Sequence, residues 1–205
     1  MKNYKKNFEI LKKNNVYSED MEHDACGVGL IASTEGKKSR KIVEYGIEAL
    51  KAVWHRGAVD ADGKTGDGAG IHVEIPKDFF IEKVEVTGHT YDNSEICVGM
   101  IFLPRNDYAA QESCKTIVES ELTKNDFSIY GWRQVPVNPK VLGEKAFQTM
   151  PEIIQVLFKS NNPELMNKDL ERKIYETRRI IENKAFQISL NNFYICSLSS
   201  KSIIY

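Results

Sequence analysis

The run Ile96 to Leu103, ICVGMIFL, carries no charge and is closed by Pro104. A bounded apolar run of this length reads as the central strand of a sheet. The rest of the chain has to be laid around it. On its C-terminal side, Asp107 is placed to cap a helix with apolar positions Ala110, Cys114, Ile117, Val118 and Leu122. Phe127 to Val137 reads as a second strand, ended by a turn at Asn138-Pro139, and PEIIQVLF at 151–158 as a third. Asn162-Pro163 supplies a helix start, with Leu170, Ile174, Thr177 and Ile181 as its buried stripe. Phe193 to Leu198 and Ser202 to Tyr205 read as two further strands around a Ser-Ser-Lys turn. On the N-terminal side, Ile71, Val73 and Ile75 alternate with His72 and Glu74 as a half-buried strand, and PKDFF at 76–80 as a short helical turn. From Lys41, the positions Ile42, Val43, Gly46, Ile47, Leu50, Val53 and Trp54 repeat at helical spacing, and the helix is expected to end at Gly57. This pattern specifies a mixed α and β protein.

Length and charge exclude several classes. The chain has 205 residues and a formal net charge of -1, enough for one domain with a sizeable core or two small ones. No basic tract points to nucleic acid, and no apolar run is long enough to cross a bilayer. The opening MKNYKKNFEILKKNN is basic but lacks the apolar core of a secretory signal, and its composition is that of a mobile leader. Cysteines at 26, 97, 114 and 196 show no CxxC spacing and no compact disulfide framework. A reducing cytoplasm is therefore the expected compartment. The four histidines are scattered, so no metal site is expected. Cys97 and Cys114 fall at packing positions of a strand and a helix.

Cys26 is different. In MEHDACGVGLIAS, residues 21–33, it precedes Gly27-Val28-Gly29, and Val28 to Ala32 reads as a buried strand. Two roles remain open for it from the residues alone: a packed structural thiol, or a nucleophile in a small-residue loop.

HDACGVG resembles the processing site of the class II (Ntn-type) glutamine amidotransferases, and in particular the amidotransferase domain of the glutamate synthase large subunit. HRGA followed by TGDGAG, then GWRQVPVNPKVLG and PEIIQVLF, are similar to segments of that domain in the same order. The resemblance implies an α+β fold, the four-layer αββα sandwich of the Ntn hydrolases, here truncated. It implies that Met1 to Ala25 is a propeptide, that Cys26 is the catalytic nucleophile, and that Arg56 and Gly57 help line the glutamine site. Residues 26–205 would be the N-terminal part of the domain, with the oxyanion-hole and glutamine-clamping residues further on. Glutamine would be the substrate. The other synthase domains of the parent chain, carrying FMN and an iron–sulfur cluster, and a small electron-donating subunit would be its partners. No nucleic acid or membrane is expected.

The chemistry behind such a site is independent of the family. A free thiol has a pKa near 8.5, and a free α-amino group one near 7.7 to 8.0, close to working pH for a general base. While Ala25 is attached, the nitrogen of Cys26 is an amide and takes no proton. Removing the leader would create the base and expose the nucleophile together. His23 and Asp24 are a rival base pair but would leave with the leader.

Other readings compete. Ala58 to Thr65, AVDADGKT, meets a relaxed phosphate-loop pattern. However, a helix precedes it, glycines at 66, 68 and 70 follow it, and Asp60 and Asp62 would repel phosphate. Those glycines suggest close backbone approach, and a methyl at Gly68 is expected to be poorly tolerated. A non-catalytic amidotransferase-like interaction domain, or the glutaminase domain of another class II enzyme, also fits parts of the pattern. Ile203-Ile204-Tyr205 is expected to leave an apolar, unpaired strand edge, as in a truncated sequence.

Overall fold

The computed structural model describes residues 2–14, 27–54 and 57–205. Its frame is a four-stranded antiparallel sheet in the order β3-β4-β2-β5, formed by β2 (Ile96–Leu103), β3 (Phe127–Gln134), β4 (Glu152–Ser160) and β5 (Tyr194–Ser199). β2 lies between β4 and β5, with Gly99 opposite Val156 on one side and Leu198 on the other. The apolar run is central, as expected, because both its faces are covered.

Strand alternation divides β2 between two cores. Cys97, Ile101 and Leu103 point to one layer, packed with Cys114, Val118 and Leu122 of α4 (Tyr108–Lys124) and with Leu170, Ile174 and Ile181 of α6 (Asn167–Gln187). Ile96, Val98 and Met100 point to the other side. There they meet Ile75, Ile203, and Phe80 and Val84 of α3 (Lys77–Val86). Asp107 caps α4 through Ala110 N–H at 2.9 Å. Thr177, the polar member of the α6 stripe, is buried and donates to Lys173 C=O at 2.8 Å. Its hydroxyl is thus satisfied within the helix.

A second, two-stranded sheet pairs β1 (His72–Glu74) with β6 (Ser202–Ile204), Val73 opposite Ile203. Reciprocal bonds of 2.9 Å between Ile71 and Tyr205 extend the pair. The chain passes from β5 to β6 through a tight turn held by Glu171 of α6. That carboxylate accepts from Ser199 Oγ at 2.8 Å and from Ser200 N and Oγ at 2.7 Å. The second sheet faces α2 (Arg40–Ala52) across an open cleft. Helices, sheet, sheet and helix follow one another, the αββα order of an α+β sandwich.

Several local expectations are corrected. Val28 to Ala32 forms no strand: a strand needs a hydrogen-bonded neighbour, and none pairs with it among the described residues. α2 ends at Ala52 rather than at Gly57, with Val53 as its cap. PKDFF opens the full helix α3, because Phe80 and Val84, four residues apart, bury one face of it. α6 starts at Asn167, not at Pro163; Asn162 instead closes a local turn, accepting from Glu164 N–H at 2.9 Å. The final residues pair as β6 with β1 on one side and bury Ile203, while the other edge of β6 pairs with no strand among the described residues. The first residues, whose composition reads as a mobile leader, form α1 (Lys2–Asn14), with Lys12 and Lys13 in the last turn where they suit the helix dipole.

Candidate functional site

A cleft of about 1390 Å³ lies between α2, β1 and the stretch 27–31. α2 contributes Ile47 and Leu50, β1 contributes Val73, the position before β1 contributes Ile71, and Tyr205 also lines the cleft. α2 is started by Ser39, whose hydroxyl accepts from Lys41 N–H at 3.2 Å. Gly46 brings the helix close, for a Cβ there would lie 3.3 Å from Ile71 Cδ1. Gly27 to Ile31 run along this cleft with Val28 and Leu30 exposed. Gly27 is the residue after Cys26. Cys26 itself and Arg56 lie outside the described residues. Gly57 is described: it forms an exposed bend, its N–H bonded to Trp54 C=O at 3.0 Å.

The three cysteines among the described residues sit in packing positions. Burial pushes the Cys114 thiol up to about 11 and the Cys97 thiol well above its ordinary value; burial also raises Cys196. Each is held in the thiol form at neutral pH, which suits packing. Among the described residues, no group of three or more His, Cys, Asp or Glu is placed to hold a metal ion.

Residues 58–67 fold into a strap. Val59 bridges Gly66, Asp60 N–H donates to Thr65 C=O at 2.7 Å, and Ala58 N–H donates to Asp67 Oδ2 at 2.9 Å. Asp62 sits inside the turn. Its Oδ1 accepts from Lys64 N–H at 2.9 Å and Thr65 N–H at 2.7 Å, and its Oδ2 from Thr65 Oγ1 at 2.5 Å. The Thr65 hydroxyl, then the amides of Lys64 and Thr65, hold its carboxyl well below the usual carboxylate range. The amides a phosphate would need are therefore filled by the protein's own carboxylate. No helix follows the strap either, so the phosphate-loop geometry is not formed.

The glycines beyond the strap do not all behave as expected. A Cβ at Gly66 would lie 3.1 Å from Ala58 O, and one at Gly70 3.0 Å from Tyr205 O. Gly68 has nothing within 4 Å, so the expected intolerance belongs to its two neighbours in the pattern.

GWRQVPVNPKVLG turns out to be structural. Trp132 packs against the larger core and donates to Glu119 Oε1 at 2.6 Å. Arg133 reaches the buried Gln155 Oε1 at 2.7 Å and lies over the Phe79 ring at 5.1 Å. Past Asn138, a short 3₁₀ turn (Pro139–Val141) leads to Gly143 and α5 (Glu144–Thr149). This segment meets the strap: Lys145 pairs with Asp60 at 2.5 Å, and a Cβ at Gly143 would collide with Asp62 and Thr65. Sequence reasoning missed that contact. Asp62 and Gly143 each carry a local turn signal, but nothing local pairs them.

Comparison with known proteins agrees with this geometry. A family profile described as class-II glutamine amidotransferases matches residues 26–205. The chain is 52% identical over 202 residues to the glutamate synthase [NADPH] large chain of Azospirillum brasilense, covering 98% of this chain and 13% of that protein. It is 38% identical over 202 residues to ferredoxin-dependent glutamate synthase 2, chloroplastic, of Arabidopsis thaliana (97% and 12%). It is 37% identical over 186 residues to ferredoxin-dependent glutamate synthase 2 of Synechocystis (90% and 12%). The chain thus spans about an eighth of the length of these relatives. With the matched region covering most of the chain and the layered fold in agreement, this chain belongs to the class-II glutamine amidotransferases.

Proposed function

We propose that this chain carries the glutamine-hydrolysing part of a glutamate synthase, with Cys26 as nucleophile. The observation that carries the reading is that the family match begins on Cys26 itself. Met1 to Ala25 is then a leader, and its removal frees the α-amino group of Cys26. That amine takes the thiol proton as sulfur attacks the side-chain amide carbon of glutamine. The C–N bond breaks, the amine returns the proton to the departing nitrogen, and ammonia leaves a γ-glutamyl thioester. Water adds to the thioester, releasing glutamate and regenerating the thiol. Arg56 and Gly57 line the glutamine site, and Gly27, the residue after Cys26, borders the cleft.

In the synthase reading, the ammonia passes to 2-oxoglutarate in domains of the parent protein outside this chain, which carry FMN and an iron–sulfur cluster. A cluster does not fit the residues described here: Cys97, Cys114 and Cys196 lie on separate elements and form no ligand group. The resemblance of GWRQVPVNPKVLG favours a synthase over another class II amidotransferase. A reducing cytoplasm would keep the Cys26 thiol free. No helix among the described residues is long and apolar enough to cross a membrane.

The test is Cys26→Ala in the full-length protein, with N-terminal sequencing of the wild type from its own cells. A mature chain beginning at Cys26, and a variant that loses glutamine-dependent but keeps ammonia-dependent glutamate formation, are expected. Retention of glutamine use by the variant would sink the assignment.

A further inference from the structure

We infer that Asp62 is a positioning residue for the glutamine site, acting through the strap that follows Arg56 and Gly57. The inference rests on the amidotransferase reading above and deepens it. Gly57 is joined directly to the strap, and Asp67 holds the next amide, Ala58 N–H, at 2.9 Å. The strap has little apolar material of its own: its residues are mostly exposed, and Val59 points to solvent. An exposed segment of this kind keeps one shape only when its polar groups are tied.

Asp62 supplies the tie. One oxygen takes two backbone amides and the other takes the Thr65 hydroxyl, three bonds that close the turn from inside. The same carboxylate lies against Gly143, where a side chain would collide with Asp62 and Thr65. Lys145 adds an ion pair to Asp60. The strap is therefore seated on a segment some 80 residues away in the chain, whose own path is set by β3 and β4. No substrate atom needs to touch Asp62 for this to matter. A loop that is competent only part of the time weakens apparent affinity by the fraction of time it is competent, and leaves the bound complex unchanged. Untying the strap should therefore raise the half-saturating concentration of a glutamine-like ligand and spare the chemical step.

The probe is 6-diazo-5-oxo-norleucine, a glutamine analogue that alkylates an amidotransferase nucleophile, applied to the mature full-length protein. Labelling of Cys26 is read by mass spectrometry, and its rate is measured against probe concentration. Asp62→Ala is expected to raise the half-saturating concentration about tenfold, with the maximal labelling rate within twofold of wild type. Asp62→Asn keeps an oxygen for the two amides and is expected to recover most of the loss. Thr65→Val removes only the hydroxyl and should fall between them; it serves if Asp62→Ala does not fold. Unchanged half-saturation in folded Asp62→Ala or Thr65→Val overturns the inference, as does a loss confined to the maximal rate. Absence of Cys26 labelling in the wild type overturns the amidotransferase reading instead.

Discussion

Gly99 sits where three strands meet, and replacing it by alanine should cost stability for lack of room alone. Its backbone is not in the left-handed region, so alanine can adopt the conformation. The added Cβ, however, would lie 2.6 Å from Leu198 Cδ1 and 2.7 Å from Val156 Cγ1. Against a contact distance of about 3.5 Å, that is an overlap of roughly 0.8–0.9 Å on each side. Leu198 can rotate its end away. Val156 cannot do so easily, being β-branched, fully buried and paired opposite Gly99. Overpacking of this kind costs about 1–3 kcal/mol. Loss of glycine's freedom in the unfolded chain returns about 0.4–1 kcal/mol. The net expectation is a loss of about 1–2 kcal/mol, or roughly 2–8 °C in Tm for a chain of this size. Urea denaturation of Gly99→Ala, Val156→Ala and the double variant measures it. Val156→Ala alone should cost about 2–3 kcal/mol, for two buried methyls and the space left behind. In the double variant the new methyl enters that space, so the two costs should fall short of additive by about 1 kcal/mol. A neutral Gly99→Ala, or strict additivity, would refute the steric account.

Lys184→Met should destabilise the protein by about 1 kcal/mol. It leaves Glu121, which is 3% exposed, with Lys124 as its remaining cation, while the 43% exposure of the Lys184 side chain limits the loss. The hydrogen bond from Lys184 is the main cause holding the Glu121 carboxyl below its ordinary value. A depressed carboxyl stabilises above its unfolded pKa of about 4.3, and that contribution fades as pH falls below it. The gap between wild type and Lys184→Met in thermal melts should therefore narrow from neutral pH to about pH 3, and a gap that widens would contradict the pairing. Asp107→Ala should cost about 1 kcal/mol by freeing the Ala110 amide, with Asp107→Asn near wild type in the same melts.

The parts of the fold that were legible share one property: their own residues settle them. β2 spans Ile96–Leu103 as expected, since an uninterrupted apolar run closed by proline has few other solutions. The α6 stripe of Leu170, Ile174, Thr177 and Ile181 is buried as expected, because helical spacing puts those side chains on one face. Boundaries that depended on neighbours were misplaced. Val28 to Ala32 has strand composition but no paired strand among the described residues, and α3 is longer than its local signal because Phe80 and Val84 find a core to enter. Of the candidate site, Cys26 and Arg56 lie outside the described residues, Gly57 is a bend at the head of the strap, and Gly68 has no neighbour to crowd.

Local chemistry alone determined the central strand, the capped helix after it, the packing roles of Cys97 and Cys114, and the singular context of Cys26. Spacing, capping and side-chain type act over a few residues and are written in order along the chain. Tertiary structure decided which face of β2 meets α4 and α6 and which meets the second sheet, and how β6 reaches β1. It also decided that Asp62 and Thr65 close against Gly143. Those pairings join residues far apart in sequence. They depend on shape and burial that exist only after the layers have closed, so no short stretch of the chain encodes them.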